Sequence, residues 1–311
     1  MTGVSLAYLI DLFLGDPRWL PHPVRMIGWA IGRMERFLRV GWLNERSAGC
    51  LLTFFVVGGT YILIWSLLGW AKNIHPQVGC ALSIFLIYTS LAAKSLYQES
   101  MQVYRFLKEN ELQKARHRVG MLVGRDTKDL DNMEVARATV ETVAENLVDG
   151  VVSPLFYAFL GGAPLALAYK AINTLDSMVG YKSPHYFQFG WASARLDDLA
   201  NYLPARLTAL LLPSAAFLCR RNVRGCWAAI RRDGGKNPSP NSGLPEAGVA
   251  GALGIRLGGT NRYGGVLFKK PLIGFPCRPL KLEDIQEANR LMWVTSLLAL
   301  MLGEGFSWWI R

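Results

Sequence analysis

AGCLLTFFVVGGTYILIWSLLGWA, residues 48–71, carries no charged side chain along its whole length. A hydrocarbon core about 30 Å thick needs about 20 apolar residues in a helix, so this stretch reads as a transmembrane helix. Outward from it, the short polar break Lys72 to Gln77 leads into a second apolar run, Val78 to Ala93, and the two form a helical hairpin. Further candidates are Leu147 to Tyr169, Leu203 to Cys219, and Leu291 to Leu302 with the aromatic tail Phe306 to Ile310, each short or interrupted. Across the 311 residues, 51% are hydrophobic, only 18% are charged, and the mean hydropathy is +0.20, beyond the usual soluble globular range. The predicted fold class is all-α: a polytopic integral membrane protein with broken or re-entrant helices and cytoplasmic polar loops. A single membrane-embedded domain is expected over residues 1–311.

The N-terminal run Gly3 to Leu14 contains Asp11 and has neither a basic start nor a small-residue cleavage site. It is expected to stay as a short first helix rather than to be a removed signal peptide. Five cysteines without a CxxC pair give neither a disulfide framework nor zinc spacing, and buried thiols are the expectation. Between Leu14 and Ser47 lie six basic residues, Arg18, Arg25, Arg33, Arg36, Arg39 and Arg46, and between Lys94 and Glu145 there are nine. The turn near residue 75 has only Lys72. The positive-inside rule places the first two segments in the cytoplasm and the turn outside. The basic segment Arg220 to Arg290 should also be cytoplasmic, making 94–146 and 220–290 the main cytoplasmic segments. If Leu147 to Tyr169 and Leu203 to Cys219 both cross, the polar block Lys170 to Tyr202 is stranded outside. If neither crosses fully, it stays inside. Gly161, Gly162 and Pro164 in mid-segment favour the second arrangement, because broken helices are tolerated where they line a cavity. The net charge of +11 suits loops on anionic lipid, and no nucleic-acid motif accompanies it.

A chain of this kind keeps carboxylates near apolar segments only where they face a cavity, a partner or an ion. From about Leu130 to Val148 a helix would carry Glu134, Glu141 and Glu145 within a narrow arc, with Asp149 at its edge and Val140, Val143 and Leu147 opposite. Glu141 and Glu145 form a like-charged i, i+4 pair with no base evidently placed to relieve it. A solvated face remains open beside metal, nucleotide or ammonium binding. Gly124, Arg125, Asp126 and Thr127 read as the loop feeding this helix, with Asp126, Asp129 and Asp131 as further oxygen donors. Oxygen donors with few His or Cys suit magnesium, and with it phosphate chemistry. Lys170, Asn173, Asp176 and Ser177 share one helical face, either a structural cluster or a catalytic one. Arg195, Asp197, Asp198 and Asn201 form a tight polar set in which local capping competes with a site. Pro21-His22-Pro23-Val24-Arg25 projects His22 and Arg25 from a stiff segment. Asp233 to Gly265 holds ten glycines and three prolines and matches no standard nucleotide motif, though its backbone could cradle phosphate.

Several long phrases carry a resemblance: LIDLFLGDPRWLPHPVRMIG (9–28), GRDT (124–127), ETVAENLVDGVVSPLFYAFLGGAPLALAYKAINTLDSMVGYK (141–182), SARLDDLANYLPARL (193–207) and NPSPNSGLPEAGVAGALG (237–254). In these the chain resembles the adenosylcobinamide-phosphate synthase family of cobalamin biosynthesis, nearly end to end. The resemblance implies an ATP- and magnesium-dependent amide ligase of the bacterial inner membrane, with its active site facing the cytoplasm. It would join adenosylcobyric acid to (R)-1-amino-2-propanol O-2-phosphate, with membrane lipid and, as partners, a second copy or other cobalamin-assembly enzymes. Within that scheme Asp126, Glu134, Glu141 and Asp149 are the metal candidates. Glu141, Glu145, Asp176, Asp197 and Asp198 are the catalytic candidates. His22, Arg25, Arg125, Thr127, Asn146, Lys170, Asn173, Lys182, Arg195, Asn241 and Ser242 are the substrate and nucleotide contacts. A corrinoid carrier, or a sensory protein of the kind found in a related signalling branch, is the alternative.

Overall fold

The computed structural model describes residues 2–17, 22–41, 43–181 and 183–310. Along the chain run α1 (Gly3–Leu14), α2 (Pro23–Leu38), α3 (Glu45–Ile74), α4 (Pro76–Tyr88), α5 (Ala93–Lys108), α6 (Leu112–Gly120) and α7 (Asn132–Leu147). A π-helical turn, Val148–Val152, leads into α8 (Ser153–Val179), α9 (Trp191–Ala200), α10 (Tyr202–Leu218), α11 (Val223–Asp233) and α12 (Gly243–Leu253). The strands β1 (Leu257–Tyr263) and β2 (Val266–Ile273) precede α13 (Asp284–Ile310).

Among the described residues, four helical runs are long and apolar enough to cross a membrane: Glu45–Ile74, Pro76–Lys108, Asn132–Val179 and Asp284–Trp309. The chain is an all-α polytopic membrane protein, as its composition predicts. Asn44 starts α3 by accepting a hydrogen bond from the Ser47 amide at 2.8 Å, and Pro76 occupies the first turn of α4, where its missing N–H costs nothing. Phe54, Ile62, Leu63 and Trp65 of α3 point outward, as suits a helix bathed in lipid. The same outward faces of α3 and α4 expose Cys50 and Cys80, and Cys277 is exposed in a loop. Of the five thiols only Cys226 is fully buried, contrary to the expectation of buried thiols.

The expected breaks are present. Helix α8 is interrupted at Gly161 (φ −152°, ψ 24°) and Gly162 (φ 66°, ψ −156°), with Pro164 just beyond. Its segment 147–169 nevertheless lies inside one of the four long runs, whereas α10, which covers most of 203–219, is shorter than they are. The glycine-rich stretch 233–265, read from sequence as a loop, instead forms α12 and much of an antiparallel β1–β2 hairpin.

The chain divides into two compact units. Unit 1 comprises Met1–Ala92, Ser153–Asn201 and Leu302–Arg311. Its core gathers Ile31 of α2, Leu52 of α3, Leu175 of α8 and Phe189. A Cβ on Gly49 would sit 1.8 Å from the Phe189 carbonyl oxygen, so α3 reaches that segment only through a glycine. Glu304, on the last turns of α13, accepts from the Thr2 amide at 2.9 Å, from the Thr2 hydroxyl at 2.6 Å and from the Ser5 hydroxyl.

Unit 2 comprises Ala93–Val152 and Tyr202–Met301. Every residue of α12 but Leu244 is buried, and the helix packs on α7, α10 and α11. Its composition of Gly and Ala allows this: a Cβ at Gly251 would lie 2.2 Å from the Gly225 carbonyl oxygen of α11. The hairpin packs on α12 and is pinned to the loop before α7. The Asp126 amide donates to the Arg262 carbonyl at 2.8 Å, and the Gly265 amide donates to Asp126 Oδ2 at 2.7 Å.

Candidate functional site

A dense gathering of buried charge lies in unit 2, where α7, the loop before it, α12 and the hairpin meet. Helix α7 begins with a capping box: the Glu134 amide donates to Asp131 Oδ1 at 2.7 Å and the Asp131 amide to Glu134 Oε2 at 3.0 Å. Two turns further along, Glu141 is 4% exposed and accepts from three donors. Arg125 Nη1 reaches Oε2 at 2.8 Å, and Arg137 Nη1 and the Gly258 amide reach Oε1 at 3.3 and 2.8 Å. The expectation that nothing relieves Glu141 is therefore corrected. Arg137 stands one turn before it, at i−4, where helical spacing brings opposite charges together. Asn261 of β1 completes the group, its Oδ1 accepting from Arg125 Nη1 at 2.6 Å and from Arg137 Nη2 at 3.2 Å.

Beside this lies Glu246 of α12, fully buried, its Oε1 accepting from Lys270 Nζ of β2 at 3.4 Å and from Asn237 Nδ2 at 3.3 Å. Burial pushes the Glu246 carboxyl well above the usual carboxylate range; Lys270 pulls it back, and Glu145 and Glu141 add to the rise. Burial also works against the Lys270 ammonium, but Glu246, Glu145 and Glu141 outweigh it and hold its pKa above the ordinary lysine value. A protonated Glu246 attracts Lys270 less, which leaves Glu145 and Glu141 as the charges that keep the ammonium. Glu145 itself is exposed, one turn beyond Glu141. This arrangement can bind a polyanion and can accept a proton at an exposed carboxylate.

Of the residues singled out from sequence, the structure brings Arg125, Glu141 and Glu145 into this cluster. Asp126 latches the hairpin, and Thr127 Oγ1 donates to the Arg116 carbonyl at 3.0 Å. Asn146 Nδ2 donates to the Thr142 carbonyl at 3.0 Å, and Asp149 lies in the π-helical turn. Asn241 Oδ1 accepts from Arg206 Nη1 at 2.8 Å, and Ser242 stands at the N-cap of α12 without a side-chain cap bond. In unit 1, Asp197 Oδ2 accepts from Asn201 Nδ2 at 3.0 Å, while Asn201 Oδ1 accepts from Ser153 Oγ at 2.6 Å and from the Tyr169 hydroxyl at 2.9 Å. Lys170, Asn173 and Asp176 lie half-buried on α8, Asp198 is half-buried and Arg195 exposed on α9. His22 Nε2 lies 3.2 Å from Asp16 Oδ1, and Arg25 is exposed in the first turn of α2. Lys182 lies outside the described residues. Among the described residues no three His, Cys, Asp or Glu side chains gather as a metal cage, and Asp126, Glu134 and Glu141 each already engage protein donors.

Arg137, Asn237, Glu246, Asn261 and Lys270 were missed. Glu246 was the one acid in an otherwise small and apolar run, the sequence signal that could have marked it.

A helical membrane protein with an ion-paired cluster under a β-hairpin is the class that fold and site define. The chain belongs to the CobD/Cbib protein family, whose pattern matches residues 4–292. It is 52% identical over 299 residues to the "Cobalamin biosynthesis protein CobD" of Geobacter metallireducens, covering 96% of this chain and 94% of the relative. It is 48% identical to the protein of the same name in Klebsiella pneumoniae, covering 98% and 97%, and 48% identical to the "Cobalamin biosynthesis protein CbiB" of Salmonella typhimurium, covering 96% and 94%. No solved structure matches the chain.

Proposed function

We propose that the chain acts in cobalamin biosynthesis as an ATP- and magnesium-dependent amide ligase of the bacterial inner membrane, its site facing the cytoplasm. Adenosylcobyric acid and (R)-1-amino-2-propanol O-2-phosphate would be its substrates and adenosylcobinamide phosphate its product. The observation that carries this reading is the convergence of Arg125, Arg137 and Lys270 around Glu141, Glu145 and Glu246 in a chain of this family.

A propionate carboxylate is a poor electrophile. Its oxygen would attack the γ-phosphorus of ATP, releasing ADP and leaving an acyl phosphate. The amine nitrogen would then attack the acyl carbon, inorganic phosphate would leave, and the ammonium proton would pass to a carboxylate. Arg125, Arg137 and Lys270 supply fixed positive charge for the phosphoryl oxygens, inside a unit whose burial strengthens each interaction. Glu145, exposed and one turn from Glu141, is placed to accept the proton. Glu141 positions the two arginines. Magnesium bound to the nucleotide would take most of its bonds from phosphate and water and would need only one or two carboxylates from the protein. In unit 2, Asn241 and Ser242 are proposed as further substrate contacts; in unit 1, Asp176, Asp197 and Asp198 are proposed as catalytic carboxylates and His22, Arg25, Lys170, Asn173 and Arg195 as substrate contacts.

The test is reconstitution in nanodiscs with magnesium, ATP, adenosylcobyric acid and aminopropanol phosphate, following the corrinoid by mass spectrometry and ADP release. Product with stoichiometric ADP, only when all components are present, is expected. Corrinoid binding without turnover would favour a carrier or sensor instead.

A further inference from the structure

The guanidinium of Arg125 is only partly used. Nη1 serves both Glu141 and Asn261, but Nε and Nη2, one full edge of the planar fork, find no hydrogen-bond acceptor among the described residues. Asn261 shows the same asymmetry, since its Oδ1 accepts from two arginines while its Nδ2 donates to none of the described residues. The two side chains are 7% and 2% exposed. Buried donors are nearly always satisfied because leaving one unmade is costly, so three together in one cluster call for an acceptor. The free Nε–Nη2 edge of an arginine matches the paired oxygens of a carboxylate or phosphate.

The charge balance points the same way. Arg125, Arg137 and Lys270 face Glu141, Glu145 and a Glu246 that burial favours in its neutral form, so the cluster keeps surplus positive charge. The hairpin that contributes Asn261 and Lys270 also covers the cluster. Its strands join the rest of unit 2 at glycines with positive φ, Gly258 (84°), Gly259 (97°) and Gly274 (90°). Its far end is held by a few polar contacts: the two Asp126 bonds and Arg262 Nη1 to Asp129 Oδ2 at 3.1 Å, the last between exposed side chains. Short segments bounded by such residues are the ones that absorb backbone rotation when a site opens.

We propose that the unused edge of Arg125 and the Asn261 amide form a phosphate-recognition subsite, and that the hairpin 257–273 lifts to admit the phosphate and closes on it. This deepens the ligase reading above and rests on it only for the source of the phosphate, the nucleotide or the phosphorylated amine. Closing the hairpin brings Asn261 onto the bound oxygens, so binding and closure are one event.

The test needs no turnover. Hydrogen exchange across residues 257–273 is followed in the full-length protein in nanodiscs, with inorganic phosphate, ATP, aminopropanol phosphate or unphosphorylated aminopropanol. A phosphate-bearing compound at about ten times its Kd should slow opening about tenfold, and the unphosphorylated amine should not. Which compound protects identifies the source. Asn261→Asp keeps the acceptor that Arg125 and Arg137 use but replaces the donor with a repelling oxygen; it should fold and lose the protection. Arg125→Lys should weaken it, because an ammonium lacks the fork. The proposal is overturned if no phosphate-bearing compound slows exchange, or if Asn261→Asp responds like the unaltered protein. Loss of ligase activity with phosphate protection intact would instead sink the ligase reading alone.

Discussion

Glu141 holds two arginines and one backbone amide with a single buried carboxylate, so its removal should be felt twice. Glu141→Gln keeps the shape but leaves Arg125 and Arg137 without their counter-charge. Breaking a buried pair in this way costs about 3 to 5 kcal/mol, and we expect lost turnover together with a lower melting temperature in detergent. Glu145→Gln should remove turnover and lower the melting temperature less than Glu141→Gln does, because Glu145 is exposed and acts on the buried Lys270 only through its charge; wild-type turnover would rule it out as the proton acceptor. Glu246 adds a pH signature. Its folded pKa lies above its unfolded value, so the native state binds the extra proton between them, and stability falls as pH rises from about 4.3 through the raised value. Denaturation curves from pH 5 to 9 should show that decline, and Glu246→Gln should flatten it. Asp233 runs the other way. Burial opposes its charge, yet Arg232, Lys236 and the Gly274 amide hold the carboxyl far below the usual range, so its contribution is lost as pH drops below about 4. At this scale the acidic residues of α7 and Arg125 were legible from sequence because they share one short segment. Gly258 bonds Glu141 across 117 positions and Asn261 bonds Arg125 across 136, and helical periodicity carries no information over such distances.

Among the elements, the β1–β2 hairpin is one that residue patterns concealed. LGGTNRY has no alternation of apolar and polar side chains and few β-formers, so nothing in it announces a strand. Pairing with β2 and the positive-φ glycines make it one. A Cβ at Gly258 would lie 2.1 Å from the Pro271 carbonyl oxygen at a φ of 84°. Gly258→Ala should therefore cost about 2 kcal/mol and raise hydrogen exchange through 257–273, while Gly264→Ala, at a φ of 53° with open space around it, should perturb exchange less. The broken α8 was legible because Gly161, Gly162 and Pro164 act locally on the backbone. Helix α12 was not: three glycines in eleven residues lower its helix propensity, and only close approach to α11 makes those small residues an asset.

For the whole molecule, the long apolar runs stood out because lipid demands about 20 apolar residues irrespective of what packs beside them. The division into two units did not, since each is stitched from separated segments. Orientation can be measured with the native thiols. If the positive-inside reading holds, a membrane-impermeant maleimide should label exposed Cys277 in inside-out vesicles and leave it unlabelled in right-side-out ones. The clasp of Glu304 on Thr2 and Ser5 has a consequence for biogenesis. A nascent chain that has delivered α1 to the membrane must synthesise almost everything else before the partner of that helix leaves the ribosome, so unit 1 stays open to membrane quality control until synthesis is nearly over. Release of a chain stalled before residue 302 should yield a protease-sensitive unit 1.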